Sequence, residues 1–164
     1  MGSFRHIKGN LFDLVNKNEI DVIAQGNNCF CRQKRGIAVE FVDRYGTDNE
    51  SVYWLEKKKF EGDFNKLGQI QFGYKGSLVV VNCYTQYDWN KNNKENLSQW
   101  GIPLDYHALT MCLKKINHQF PNKRIGLPKI GCGLAGGDLN KLIKIIKLTM
   151  TDCHVTLVDP DLKN

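Results

Sequence analysis

Residues 128–138 read PKIGCGLAGGD, and this glycine-rich stretch constrains the fold more than any other part of the sequence. The apolar run RIGL comes just before it, and LNKLIKIIKLTM, an apolar segment of helical period, comes just after it. The pattern predicts a buried strand, a tight loop and a helix, in that order. Because glycines carry no side chains, several backbone amides of such a loop can converge on one anion.

A helix that begins directly after the loop adds unpaired amides and the positive end of its dipole, and phosphate is the natural ligand of that arrangement. The alternative is a plain tight turn before a helix, with Asp138 as its N-cap. The loop is not a P-loop, since no Gly-Lys-Ser/Thr ending follows. It is also not a dinucleotide fingerprint, since no βαβ unit with a later acidic residue follows it.

Alternating strand and helix patterns along the whole chain predict an α/β layered domain with a mixed sheet. A helix is also expected between the first two strands, and residues 85–103 are expected to form a long loop. The strands predicted over 69–74 and 77–84 should be joined as a hairpin. Strands are predicted over 4–8, 21–25, 69–74, 77–84, 124–127 and 154–158, and helices over 36–45, 47–59, 105–120 and 138–151.

The composition fits one globular domain over 1–164, with 41% hydrophobic and 24% charged residues. No apolar run is long enough to cross a bilayer, and no secretory signal opens the chain, so we expect a cytoplasmic protein, a monomer, without membrane contact. The net charge of +6 favours anionic partners, but no dense basic run indicates nucleic acid by itself. The six cysteines are expected to be reduced, with no bound metal and no cofactor.

A second loop of the same kind follows the predicted strand at 21–25 and reads GNNCFCRQKRGIAVEF over 26–41. Two such loops at one edge of a sheet would hold a diphosphate between them. The pair resembles the macrodomain family, and the resemblance covers nearly the whole chain. It is carried by KGNLFD at 8–13, DVIAQGNN at 21–28, GIAVEF at 36–41, VNCYTQYDW at 81–89 and LPKIGCGLAGGD at 127–138.

The resemblance implies a three-layer α/β/α sandwich with about six strands that binds ADP-ribose or an ADP-ribose derivative between the two loops. It looks most like the branch of ADP-ribose-1″-phosphate phosphatases and ADP-ribosyl hydrolases. Tyr84 and Trp89 are expected to flank the ligand. The implied ligand-binding residues are Gly9, Asn10, Leu11, Gln25, Asn27, Asn28, Lys34, Arg35, Gly36, Ile37, Ala38, Tyr84, Thr85, Gln86, Gly131, Cys132, Gly133, Leu134, Ala135, Gly136 and Gly137.

Several positions depart from the family pattern. Asn10 stands where the family has an aspartate for the adenine amino group, and Gln25 stands where many relatives have histidine. Gln86 replaces the lysine of some hydrolases, and Ala135 replaces the aspartate of a glutamyl hydrolase. The departures at Gln86 and Ala135 weaken a lysine-dependent covalent mechanism.

The candidate catalytic residues are Asn28, which would orient the distal ribose or a water, and Asp138, the one carboxylate near the glycine loop. Their structural alternatives are a loop-closing hydrogen bond and a helix N-cap. Lys34 and Arg35 would neutralise a terminal phosphate. Three functions follow: hydrolysis of ADP-ribose-1″-phosphate, binding of ADP-ribose without chemistry, and removal of ADP-ribose from modified protein or nucleic acid.

Overall fold

A computed structural model describes residues 1–47 and 61–163 and contains one six-stranded sheet and four α-helices. The strands are β1 (Ser3–Lys8), β2 (Val22–Asn28), β3 (Ile70–Lys75), β4 (Leu78–Gln86), β5 (Arg124–Leu127) and β6 (His154–Asp159). The helices are α1 (Leu11–Asn16), α2 (Ile37–Tyr45), α3 (Tyr106–Gln119) and α4 (Leu139–Thr149). Two short 3-10 helices span Phe64–Lys66 and Lys94–Asn96.

The strand order is β1-β6-β5-β2-β4-β3, and every neighbouring pair is parallel except β3 and β4. The two antiparallel strands form the predicted hairpin, whose turn contains Gly76 in the left-handed region at φ 61°. The mixed α/β sheet predicted from the sequence is therefore confirmed. Because five strands run in the same direction, their carboxyl ends meet at one edge of the sheet.

Helices cover both faces of this sheet, which confirms the predicted three-layer arrangement. The larger core cluster packs α3 and α4 against one face, and Val79 and Val81 of β4 point into it. The smaller cluster packs α1 and α2 against the other face, where Val80 lies. The continuous apolar run of β4 is thus buried on both sides, as a strand inside a three-layer fold requires.

Two central strands are longer than the sequence pattern predicts. β2 continues past residue 25 to Asn28, and β4 continues past residue 84 to Gln86. The added residues extend the pairing of the two strands, with Asn27 opposite Tyr84 and Asn28 opposite Gln86. The predicted helix over 47–59 lies, apart from Thr47, outside the described residues.

Three further features bear on the classes of site that the chain can carry. Within residues 1–47 and 61–163, no helix combines the length and the apolar character that a bilayer crossing needs. All six cysteines are free thiols. In the same described part of the chain, no three histidine, cysteine, aspartate or glutamate side chains come together as metal ligands.

Candidate functional site

A cleft of about 600 Å³ opens at the carboxyl edge of the sheet. It lies over three adjacent strands, because β2 is paired with β4 on one side and with β5 on the other. The residues that line it are Gly26, Asn28, Arg32, Lys34, Arg35, Gly36, Ile37, Ala38, Gln86, Trp89, Pro128, Lys129, Ile130, Gly131, Gly133, Leu134 and Ala135.

The two glycine-containing loops leave the sheet in opposite directions. The loop after β2 leads to α2 on one face, and the loop after β5 leads to α4 on the other. Open α/β sheets form their ligand crevice where neighbouring strands send their loops to opposite faces. The structure therefore brings both predicted loops to the two sides of one cleft.

Asn28 holds the first loop in shape. Its side-chain Nδ2 donates to the carbonyl of Arg32 at 2.9 Å, and its Oδ1 accepts from the amides of Phe30 and Arg32, both at 3.1 Å. Cys31, inside this turn, takes a left-handed conformation at φ 61°. Since an amide group has two N–H donors, one hydrogen of Asn28 remains for a ligand in the cleft that this residue lines.

Gly36 starts α2 from a backbone conformation that favours glycine, with φ 59° and ψ −145°. A Cβ atom at this position would meet nothing within 4 Å, so backbone conformation and not packing explains the glycine. No side chain caps the helix start, and Ile37 and Ala38 of its first turn line the cleft. The amides of a first helical turn have no acceptor inside the helix, so this end of the cleft suits an anion.

The glycine loop after β5 contains glycines of two kinds. Gly131 has φ 75°, and a Cβ there would lie 2.6 Å from Leu104 Cδ1. A Cβ on Gly137 would lie 2.5 Å from Leu104 Cδ2 and 2.6 Å from the Gly131 carbonyl. Gly133 has no left-handed φ, and its Cβ would meet nothing within 4 Å. The fold requires the first two glycines, whereas Gly133 only keeps the cleft free of a side chain.

Backbone hydrogen bonds inside this loop hold its shape and leave part of it free for a ligand. The bonds run from Cys132 to the Lys129 carbonyl, from Gly136 to the Gly133 carbonyl and from Gly137 to the Gly131 carbonyl, at 3.1, 3.0 and 2.7 Å. The amides of Gly133 and Leu134 take no part in these bonds. Both residues are exposed and line the cleft.

The charged residues among the described lining residues are all cations, namely Arg32, Lys34, Arg35 and Lys129. The positive charge of Lys129 is balanced by two carboxylates, because its Nζ lies 2.9 Å from Asp159 Oδ1 and 3.1 Å from Asp161 Oδ2. The hydrogen bond to Asp159 is the main reason that the pKa of Lys129 is raised. Lys34 and Arg35 are exposed and form no ion pair with any described carboxylate.

Asp159 lies at the end of β6 and is only 3% exposed. His6 Nε2 lies 3.1 Å from its Oδ2, and the amide of Asp161 donates to its Oδ1 at 2.9 Å. Burial alone would raise the pKa of this carboxyl, but the hydrogen bonds from Lys129, Asp161 and His6 outweigh burial and lower it. Asp159 therefore stays ionised and fixes Lys129 at the side of the cleft.

Arg32 and Trp89 also line the cleft and contact each other, with the guanidinium carbon 5.2 Å from the ring centroid. Trp89 was predicted to flank the ligand, but Arg32 and Lys129 stand outside the set of predicted ligand-binding residues. Each lies within one of the two predicted ligand loops, where a cation beside a phosphate site could have been expected from the sequence. Nothing in the local sequence indicates the carboxylate pair that holds Lys129.

Gln25 lies inside the protein and not in the cleft. Its Nε2 donates to Gln33 Oε1, Thr47 Oγ1 and Asn82 Oδ1 at 3.1, 3.3 and 2.8 Å. Gln33 Nε2 in turn donates to the Thr47 carbonyl at 2.6 Å. All four side chains are buried, and their hydrogen bonds connect the first loop to β2 and β4.

Other predicted ligand-binding residues also lie outside the cleft lining. Asn10 is exposed and caps α1, since its Oδ1 accepts from the Phe12 amide at 2.9 Å. The candidate catalytic residue Asp138 is also outside the cleft lining: it is exposed at the N-cap position of α4, and its side chain makes no capping bond. The buried residues of this group are Leu11, Asn27, Tyr84 and Thr85, and the more accessible ones are Gly9, Cys132, Gly136 and Gly137.

Comparison with solved structures shows that the chain has the macrodomain fold. The macrodomain of Thermus aquaticus DarG superimposes with a TM-score of 0.73 at 18% identity, over 98% of this chain and 100% of that one. Thermosipho africanus DarTG in complex with ADP-ribose gives 0.70 at 13% identity, over 99% of this chain and 43% of that one.

A protein of unknown function from Bacteroides thetaiotaomicron gives a TM-score of 0.76 at 25% identity, over 96% of this chain and 98% of that one. No protein-family model matches the sequence. No curated protein matches it either. The likeness is therefore one of fold, and the chemistry of this chain has to be argued from its own cleft.

Proposed function

We propose that this chain binds ADP-ribose or a close derivative in the cleft, with the diphosphate between residues 26–36 and 131–137. The observation that carries the proposal is Gly133, a glycine without any structural requirement that stands in a loop facing the start of α2. The space it leaves open has backbone amides on both sides, which is the environment a diphosphate needs. A solved protein of the same fold is described as a complex with ADP-ribose.

The charge of the cleft favours a ligand with more negative charge than ADP-ribose itself. Lys34 and Arg35 lie in the first loop, where their charges are not balanced by a described carboxylate. A phosphate at the 1″ position of the distal ribose would supply that balance. We therefore place ADP-ribose-1″-phosphate first among the derivatives.

Hydrolysis of ADP-ribose-1″-phosphate to ADP-ribose and phosphate is the second candidate function. The unbalanced cations favour it, because they would stabilise the charge that develops on a leaving phosphate. General acid–base chemistry needs a titratable group within reach of the substrate. The described lining residues include no aspartate, glutamate or histidine, and Asn28 Oδ1 already accepts two amides. We therefore rank binding of ADP-ribose above hydrolysis of its 1″-phosphate as the function of this cleft.

Removal of ADP-ribose from modified protein or nucleic acid is the third candidate and has the least support. Gln86 lines the cleft at the position where some hydrolases have lysine, and its Nε2 donates to the Asp88 carbonyl at 3.0 Å. An amide side chain does not supply the nucleophile or the base that a lysine would. The mild positive charge of the chain is the one feature that favours this function.

The test is calorimetric titration with ADP-ribose, ADP-ribose-1″-phosphate and AMP, followed by an assay of phosphate release from the 1″-phosphate. We expect both ADP-ribose ligands to bind, AMP to bind more weakly, and the 1″-phosphate to bind most tightly. Absence of binding by both ADP-ribose ligands would reject the function. Phosphate release that disappears in Asn28→Ala would move hydrolysis ahead of binding alone.

A further inference from the structure

The helices α3 and α4, which cover one face of the sheet, carry positive charge and no acidic residue. They contain five lysines and two histidines: Lys114, Lys115, Lys141, Lys144, Lys147, His107 and His118. The helices of the other face are different, since α1 and α2 together contain Asp13, Glu40 and Asp43 against Arg44 alone. Among the described helices, the positive charge is therefore concentrated on α3 and α4.

The lysines of α4 lie on its exposed side, where Lys141 Nζ sits 4.5 Å from the Tyr106 ring centroid and Lys147 Nζ sits 5.2 Å from that of Phe4. Leu142 and Ile146 are buried in the core, so the centre of the exposed face lies opposite them. At 3.6 residues per turn, Lys144 lies at that centre, with Lys141 and Lys147 about 60° to either side. All three are exposed, and successive lysines are separated by about 4.5 Å along the helix axis.

The neighbouring helix α3 presents a second basic row beside the first. Leu109, Cys112 and Ile116 are buried, and the opposite side of the helix carries Lys114 and His118, both exposed. Carboxylates stand only at the ends of this pair of helices. Asp105 and Asp138 precede the two helix starts, and Asp152, hydrogen-bonded to Asn117 at 3.1 Å, lies at the opposite end.

An open groove of about 450 Å³ runs between α3 and the edge strand β3, beside the basic row. Ile70, Phe72 and Met111 line it with apolar surface, while Lys114 and His118 stand on its helical side. Phe72 is half-buried and packs edge-on against Phe120, with 5.1 Å between the ring centroids. The groove thus offers an aromatic and apolar surface next to the ammonium group of Lys114 and the imidazole of His118.

We propose that the α3–α4 face binds single-stranded nucleic acid, with its phosphates along the lysine rows and a base in the groove beside α3. A regular row of cations matches a linear anion of repeating charge, and an aromatic groove accepts an unpaired base. An anionic membrane fits less well, because Leu148 is the one large apolar side chain that is exposed on these two helices, and a single leucine offers little surface for insertion. This site is separate from the ADP-ribose cleft and does not depend on its function.

The experiment is a titration of a fluorescent oligothymidylate of about 20 nucleotides, followed by anisotropy at several salt concentrations. Each phosphate contact to a single strand contributes about 0.7 to the slope of log K against log salt. We expect the triple variant K141Q/K144Q/K147Q to reduce that slope by about 2. The matched control is K17Q/K75Q/K91Q, which removes three exposed lysines elsewhere and should keep the slope.

An abasic oligonucleotide of the same length tests the groove. Stacking of one base on an aromatic side chain contributes on the order of 1–3 kcal/mol, so the thymidylate should bind at least about fivefold more tightly than the abasic chain. Equal slopes for the two triple variants would overturn the proposal, as would tighter binding of a duplex than of the single strand. ADP-ribose titration of each variant shows that the fold is intact, since none of these lysines lines the cleft.

Discussion

The guanidinium of Arg32 lies over the indole ring of Trp89, and this contact joins the loop after β2 to the segment that follows β4. Asn28 holds the backbone of Arg32 from the other side, through both its amide and its carbonyl. A guanidinium stacked by its face keeps its N–H edge free for a phosphate or a carboxylate. The cleft therefore contains a cation whose position is set before any ligand arrives.

Gly133→Glu is expected to abolish ADP-ribose binding without unfolding the domain. The new side chain would place a negative charge where we propose that the diphosphate lies. Because a Cβ at this position meets nothing within 4 Å, the fold itself should tolerate the change. Calorimetric titration measures the affinity, and thermal melting measures the stability.

Two further glycine variants serve as controls for this substitution. Gly133→Ala adds little volume and should weaken binding far less than glutamate does. Gly131→Ala should instead lower the melting temperature, because φ 75° is unfavourable for alanine and its Cβ would clash with Leu104. Unchanged ADP-ribose affinity in Gly133→Glu would show that the diphosphate lies elsewhere.

The double variant Lys34→Ala, Arg35→Ala should lose affinity for ADP-ribose-1″-phosphate and keep its affinity for ADP-ribose. Each charge-assisted contact contributes roughly 1.5–3 kcal/mol when it is shielded from water. It contributes far less when it is exposed, as both side chains are here, so a loss of less than about 1 kcal/mol per contact is expected. Parallel calorimetric titrations with the two ligands measure the difference.

A matched control for the cationic loop is Lys17→Ala, Lys91→Ala, which removes two exposed lysines outside the cleft lining. It should change neither affinity. If the Lys34→Ala, Arg35→Ala variant loses affinity for both ligands equally, the two cations attract the diphosphate in general and do not recognise the 1″-phosphate.

Gln25→Leu should destabilise the domain by about 1–3 kcal/mol, because it leaves the buried Asn82 Oδ1 without the donor that bonds it at 2.8 Å, whereas Gln33 Oε1 keeps the Thr47 hydroxyl. We expect the midpoint of urea unfolding to fall with an unchanged m-value. Gln99→Leu, on an exposed position, is the control and should have little effect. Full stability of Gln25→Leu would mean that the network contributes nothing to the fold.

Asp159 should make the stability of the domain depend on pH in the acid range. Its pKa is lower in the folded protein than the ordinary value of 3.8, so its stabilising contribution is present above that value. The contribution is lost as the pH falls through the lowered folded-state pKa. The stability difference between wild type and Asp159→Asn should therefore shrink in acid, as measured by melting temperatures across a pH series.

Asp43→Asn, on the exposed side of α2, is the control for this series and should show no such convergence with wild type. A difference between wild type and Asp159→Asn that stays constant at every pH would contradict the assignment. In that case the variant would act through packing and not through the charge of the carboxylate.

The layers of this fold could be predicted because each depends on a local pattern. The apolar period of residues 105–120 places α3 correctly, and the run in β4 shows a strand buried on both faces. The ends of β2 and β4 could not be predicted in the same way. Asn27 and Asn28 are polar and resemble a loop, and they become strand residues only through pairing with a segment more than 50 positions away.

The candidate site likewise has features that could be predicted from local sequence and features that depend on distant residues. The glycine loop was predictable because glycine marks positions where backbone conformation or close approach excludes a side chain, as at Gly131. The buried position of Gln25 could not be predicted, because its hydrogen-bond partners at 33, 47 and 82 come together only in the folded protein. The same holds for Lys129, whose carboxylate partners lie 30 and 32 positions further along the chain.

The cleft combines residues from 26–38, 86–89 and 128–135, which are distant in sequence and meet only when β2, β4 and β5 have paired. Contacts of such long sequence separation form late in folding, so no fragment of the chain can carry the site. A ligand that recognises this cleft must then stabilise the whole domain, by RT ln(1 + [L]/Kd). Binding of an unlabelled compound would raise the melting temperature. Ligands of the cleft can therefore be found by a thermal-shift screen before the natural ligand is known.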